Sequence, residues 1–235
     1  MWFEEELIPS KQSTTDVVKE VSGGTVDDLQ EAAKRTQGIL RVYQPEWDIL
    51  NPNMIPLRSG KLSKFFKVRL QFDFEISKDS FDKKSRFVYA RCSACLWSAT
   101  ANQPQPWVYD MFPRDLYEGE PQKVRLEFNP EIKAGPVVGS LGGISTDIAV
   151  GQITPVTVGF MGKEKREPHW DLRPQTKALL GVQFLWLVLA IPQGCDGARL
   201  AVFAEGDIQT RLGTISVGPK SRVWENRPSI IIGGP

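Results

Sequence analysis

Little in this chain is equipped for covalent chemistry. His169 is the only histidine, so a Ser-His-Asp or Cys-His mechanism, which needs a base titrating near neutral pH beside the nucleophile, would have to be built on that one imidazole. Its neighbours Glu167, Pro168, Trp170, Asp171, Leu172 and Arg173 favour a polar residue at the entry to a strand. Cys92 and Cys95 form a C-x-x-C pair, a spacing that holds zinc or cycles as a redox couple when it lies on a turn. Residues 88–97 read as a strand instead, and residues three apart on a strand point to opposite faces. With no second C-x-x-C and no histidine pair to complete a tetrahedral site, both thiols are expected to serve as small buried hydrophobes, and no metal is expected. Asp147, Asp171 and Glu205 are the acids from which a cross-strand carboxylate pair of the glycosidase kind would be drawn. Residues 139–143 are glycine-rich but lack the lysine of a phosphate-binding loop, so no nucleotide or other cofactor is expected. The chain reads as non-enzymatic.

Charge narrows the partners. Lys plus Arg is 29 against Asp plus Glu at 28, so no net field draws the protein onto a polyanion, and nucleic acid is an unlikely partner. The densest basic stretch, 163–166, is interrupted by Glu164 and reads as a solvated turn. Three cysteines, no basic-then-apolar leader and no N-x-S/T acceptor give a cytoplasmic expectation. The longest apolar run, 178–191, is too short to cross a bilayer as a helix.

Stepping along the chain, residues 1–8 set apolar groups around an acidic triplet and read as a tail. Thr25 with Asp28 resembles an N-cap, Val26, Leu29 and Ala32 or Ala33 make a short apolar stripe, and Gly38 is a stop, which together predict one helix at about 26–37. Pro45, Pro52 and Pro56 then predict a connector over the surface. From residue 65 the period becomes two: in 68–76 every apolar residue is even-numbered and every polar one odd-numbered, the pattern of an antiparallel strand with one wet face. Strands follow at 86–97, 124–128, 199–204, 209–217 and 229–232. The run 178–191, apolar on both faces, is expected in the middle of the domain, and Pro192 to Gly197 is expected as a hairpin-type connection. The fold class is therefore mainly β, an antiparallel β-sandwich of Greek-key or jelly-roll type at 61–235, preceded by the tail, helix and proline-rich connector of 1–60.

Two surfaces stand out. Trp107, Tyr109, Phe112 and Tyr117 cluster near a Gln-Pro-Gln-Pro loop, a composition suited to stacking on sugars, proline-rich peptides or lipid headgroups. Segment 135–162 is almost free of charge up to Phe160, with Asp147 alone, and from 144 to 160 its even positions are mostly apolar or Thr and its odd ones small or polar. That alternation is what a hairpin needs to face lipid on one side and a lumen on the other. The segment is similar in composition to the Ser/Thr/Gly-rich, low-charge stretches of β-type pore-forming proteins. Ile148, Val150, Val156 and Val158 are its candidate contact residues. The leading expectation is a non-catalytic module that recognises a protein partner or copies of itself. The alternatives are a membrane-acting, pore-forming-like protein that inserts 135–162, and a carbohydrate-binding or carbohydrate-active domain.

Overall fold

The computed structural model describes residues 1–9, 35–51, 63–78, 80, 84–116, 123–127, 145–149, 156–174, 179, 181–211 and 213–233, with 115–116, 123–127, 145–149 and 156 described by their backbone alone. The strands are β1 (Phe3–Pro9), β2 (Gly38–Leu50), β3 (Ser63–Ile76), β4 (Arg86–Ser98), β5 (Trp107–Phe112), β6 (Asp115–Leu116), β7 (Lys123–Glu127), β8 (Ser145–Ala149), β9 (Val156–Phe160), β10 (His169–Arg173), β11 (Gly181–Pro192), β12 (Ala198–Thr210), β13 (Gly213–Gly218) and β14 (Ser229–Ile232). The mainly β, antiparallel class expected from the alternation is the class observed.

Among the described residues, twelve strands form one sheet in the order β5-β11-β3-β2-β1-β13-β12-β4-β10-β9-β6, with β14 on β12. Its continuity rests on β1, which pairs with β2 from Phe3 to Leu7 and with β13 at Ile8 and Pro9. The halves on either side of β1 share one core. In β3 the even-numbered Val68, Leu70, Phe72 and Phe74 are each 1% exposed or less, and Phe74 meets Phe87 of β4 edge to face at 5.4 Å. Each such side chain contributes about 1.5–3 kcal/mol by leaving water. Ala90, Cys92, Ala94 and Leu96 of β4 and Leu200, Val202 and Ala204 of β12 close the core from the other half.

Five expectations change. The single strand expected at 209–217 is the end of β12 and most of β13, which pair antiparallel across a turn at Arg211. Residues 1–8 are not a free tail, because β1 lies in the middle of the sheet. Pro45 does not end the extended chain: β2 runs through it, and the register shifts between Tyr43 and Glu46, a bulge that absorbs a residue with no N–H to donate. β11, expected at the centre, lies between β5 and β3, one strand from the sheet edge. The link from Pro192 to Gly197 is not a hairpin, since β11 pairs with β3 and β5 while β12 pairs with β4, β13 and β14. The predicted helix at 26–37 falls almost wholly outside the described residues, and no α-helix element is seen among them.

Candidate functional site

Two features remain that the core does not use. The first is the pair β7 and β8, a two-stranded antiparallel sheet off the path of the main one. Its register sets Lys123 opposite Ala149, Val124 opposite Ile148, Arg125 opposite Asp147, Leu126 opposite Thr146 and Glu127 opposite Ser145. Even positions thus meet even positions. Directly opposed residues of an antiparallel pair share a face, so Val124, Leu126, Thr146 and Ile148 fall in one row, while Lys123, Arg125, Glu127 and Asp147 fall in the other. Two alternations that lie about twenty residues apart in the sequence are joined in phase by the register.

This placement divides the low-charge segment. Ile148 belongs to β8, whose partner is β7 upstream, so the expected hairpin within 135–162 is not formed between β8 and β9. Val156 and Val158 belong to β9, which pairs with β10 and β6 in the main sheet. Val158 is half-buried opposite Asp171. Val150 and Tyr117 lie outside the described residues.

The second feature is the outer face of β2, β3, β11 and β5. Trp107 and Tyr109, half-buried, pack on Phe65, Val188 and Ala190, a small apolar cluster separate from the main core, with Tyr109 edge-on to Phe65 at 5.2 Å. Phe112 sits opposite Trp186 in the β5–β11 register. Along β11 the same face carries Trp186, Phe184 and Val182, the last two 49% and 39% exposed. On β3, the Arg69 guanidinium lies 5.5 Å from the Phe184 ring and 6.0 Å from that of Trp186, and Lys67 Nζ lies 5.4 Å from Trp186. On β2, Glu46 accepts from Arg69 at 2.5 Å and Asp48 stands 3.7 Å from Lys67. The face is thus three parallel rows: acids on β2, cations on β3, aromatics on β11 and β5. Trp107, Tyr109 and Phe112 were legible in the sequence. Phe184 and Trp186 were missed, because a strand apolar on both faces reads as buried; the signal was that every second residue of 182–186 is a large apolar one, and the register sets these beside the polar odd positions of 67–75.

Of the residues weighed for catalysis, Asp147 is described by its backbone alone, Glu205 pairs with Arg222 at 2.7 Å, and Cys92, Cys95, Asp171 and His169 are engaged structurally. Cys92 faces the core and Cys95 is half-buried on the opposite side of β4; burial pushes the Cys92 thiol well above its usual value and the Cys95 thiol up to about 11. The Asp171 carboxylate accepts from Arg91 at 2.7 and 3.1 Å and from the Tyr89 hydroxyl at 2.8 Å. Burial works against its charge, but the hydrogen bonds from Arg91 and Tyr89 hold it below the ordinary carboxylate value. Burial and the bond to Asp171 push the Tyr89 phenol up to about 12. His169 stacks on Phe160 at 4.9 Å, and burial together with Arg91 lowers its pKa. Among the described residues no cluster of three His, Cys, Asp or Glu side chains is placed to hold a metal ion, and no helix is long and apolar enough to cross a membrane.

No protein-family model matches the chain, and no curated protein does. Solved structures do. The delta-toxin of Clostridium perfringens matches over 84% of this chain and 88% of its own, at 8% identity and a TM-score of 0.44. The Clostridium perfringens NetB toxin in its membrane-inserted form matches over 82% and 100%, at 8% identity and a TM-score of 0.34. A pore-forming protein matches over 91% and 99%, at 10% identity and a TM-score of 0.37. The cytoplasmic location expected from the sequence is not borne out: the neighbours are named as toxins and a pore-forming protein.

Proposed function

We propose that this is a membrane-acting protein that assembles several copies and inserts the β7–β8 hairpin of each into a common β-barrel. The observation that carries this is the in-phase register of β7 and β8, which supports one apolar row and one polar row on a two-stranded sheet outside the main fold. A hairpin alone cannot enter a bilayer, because its outer N–H and C=O groups would be left unpaired in hydrocarbon; closing several hairpins into a ring satisfies them. The length is adequate. Residues 117–155, about forty, supply two strands of the roughly 9–11 residues that a tilted transmembrane strand requires, with a turn and connectors to spare. The same alternation continues in the sequence at Phe128 and Ile132 after β7 and at Ile144 before β8.

This takes the membrane-acting alternative over the reading as a protein-recognition module, since the amphipathic pair stands off the main sheet, where closure with copies of itself would give both its faces a use. The finer arrangement we infer for the main sheet is a sandwich-like fold bent around β1, acting as the body from which the hairpin extends. The test is a lysine scan read by dye release from vesicles. Lysine at Val124, Leu126, Thr146 or Ile148 costs about 2–4 kcal/mol per copy at the bilayer midplane and should abolish release, whereas lysine at Ser145 or Ala149 should be tolerated. A scan with no two-residue period, or a protein that releases no dye under any condition, sinks the proposal.

A further inference from the structure

The outer face of β2, β3, β11 and β5 is a docking surface, and we infer that its partner is a zwitterionic phospholipid surface. The inference takes its choice of partner from the membrane reading above but rests on different residues. Two observations converge on it. First, Phe184 and Val182 stay well exposed on a strand whose inner residues are buried, and Trp186, Phe112, Trp107 and Tyr109 continue the aromatic character across β11 and β5. Amphipathic rings of this kind are the side chains that settle at the headgroup level of a membrane.

Second, the charges beside the rings are balanced in pairs, Arg69 with Glu46 and Lys67 with Asp48. The acids stand out, their side chains 68% and 76% exposed, while the cations lie lower at 33% and 25%. A net-anionic lipid would meet the two projecting acids first and be repelled. A phosphocholine-type headgroup carries both signs: its phosphate complements the Lys67–Arg69 row, and its quaternary ammonium complements Glu46 and Asp48. The Trp186 indole N–H, by contrast, is buried and has no acceptor among the described residues, so the exposed rings and charges make the contact.

Binding is measured apart from leakage, by co-sedimentation of the full chain with vesicles of phosphatidylcholine alone and of phosphatidylcholine with phosphatidylglycerol. The wild-type chain should sediment with the zwitterionic vesicles and gain little from the anionic lipid. Phe184→Ser, at an exposed position, should bind about tenfold more weakly. The Glu46→Lys/Asp48→Lys pair should shift preference by about tenfold or more toward the anionic vesicles. The Ile148→Lys chain should bind as wild type does while releasing no dye, so loss of leakage with intact binding tells against neither arm, and loss of binding with the hairpin unchanged isolates this face. No affinity for phosphatidylcholine, affinity only for a glycan-coated or protein-coated surface, or unchanged binding by both face variants would overturn the inference.

Discussion

Removing the guanidinium of Arg227 should weaken the whole fold. Its two terminal nitrogens donate to the two carboxylate oxygens of Glu5 at 2.7 and 2.6 Å. The side chains are 5% and 16% exposed, and the guanidinium carbon lies 5.8 Å from the Phe3 ring and 5.6 Å from that of Phe203. The pair ties β1, the strand that joins the halves of the sheet, to the turn at 224–226. Arg227→Met keeps much of the packing between the two rings but leaves Glu5 charged and largely out of water. Breaking a buried pair from one side costs about 3–5 kcal/mol, and the residual exposure of Glu5 points to the lower figure. At about 2–4 °C per kcal/mol for a chain of this size, the melting temperature should fall by about 6–12 °C. Arg227→Lys should recover little, because an ammonium cannot meet both oxygens in the plane of the fork. The assay is thermal unfolding followed by circular dichroism, with the Glu5→Gln single variant and the Glu5→Gln/Arg227→Met double variant completing a cycle. The double variant should be more stable than the sum of the singles by about 1–3 kcal/mol. A wild-type melting temperature in Arg227→Met, or strict additivity in the cycle, would refute the reasoning.

Other outcomes follow from the buried groups. Because the folded pKa of Asp171 is depressed, the stability it brings is present above its unfolded value of about 4 and is lost as pH falls through the lower folded value. Asp171→Asn should therefore be less stable than wild type at pH 7, and the gap should narrow steadily below about pH 4; denaturant midpoints between pH 7 and pH 2 check this, and a gap independent of pH would contradict it. Cys92, buried and with its pKa raised, should resist alkylation at pH 8 until the chain unfolds, while Cys95 reacts slowly in the native state because its thiol titrates at about 11; peptide mapping after iodoacetamide distinguishes them.

The sequence was most informative where burial enforces a period. Residues 68–76 alternate because one face of β3 meets Phe87 and the rest of the core while the other is wet, and no other arrangement of those side chains satisfies both. The strand at 86–97 was legible from its content of β-formers and aromatics. What stayed hidden was set by distant partners. Nothing near residues 1–8 announces that Glu5 will find Arg227, 222 positions away, so an acidic triplet read as a tail. The proline at 45 argued against a strand, because local rules give no credit for a bulge that the neighbouring β3 can tolerate. Of the candidate surfaces, Trp107, Tyr109 and Phe112 were visible as a cluster near prolines, whereas Phe184 and Trp186 were taken for core. The alternation at 124–128 and that at 144–160 were each visible, but their shared phase depends on which strand pairs with which, and that is a property of the register alone.

The position of β1 also dictates an order of events. A ribosome makes residues 3–9 about two hundred residues before it makes β13 and Arg227, so the strand that joins the halves can be seated on both sides only after nearly all of this sequence has emerged. Until then β1 and β12 both lack β13 as a neighbour, and such open edges are ready templates for misplaced strands. A fold closed by such remote pairings matures slowly, and chains halted anywhere before residue 213 should accumulate as sticky, protease-sensitive species.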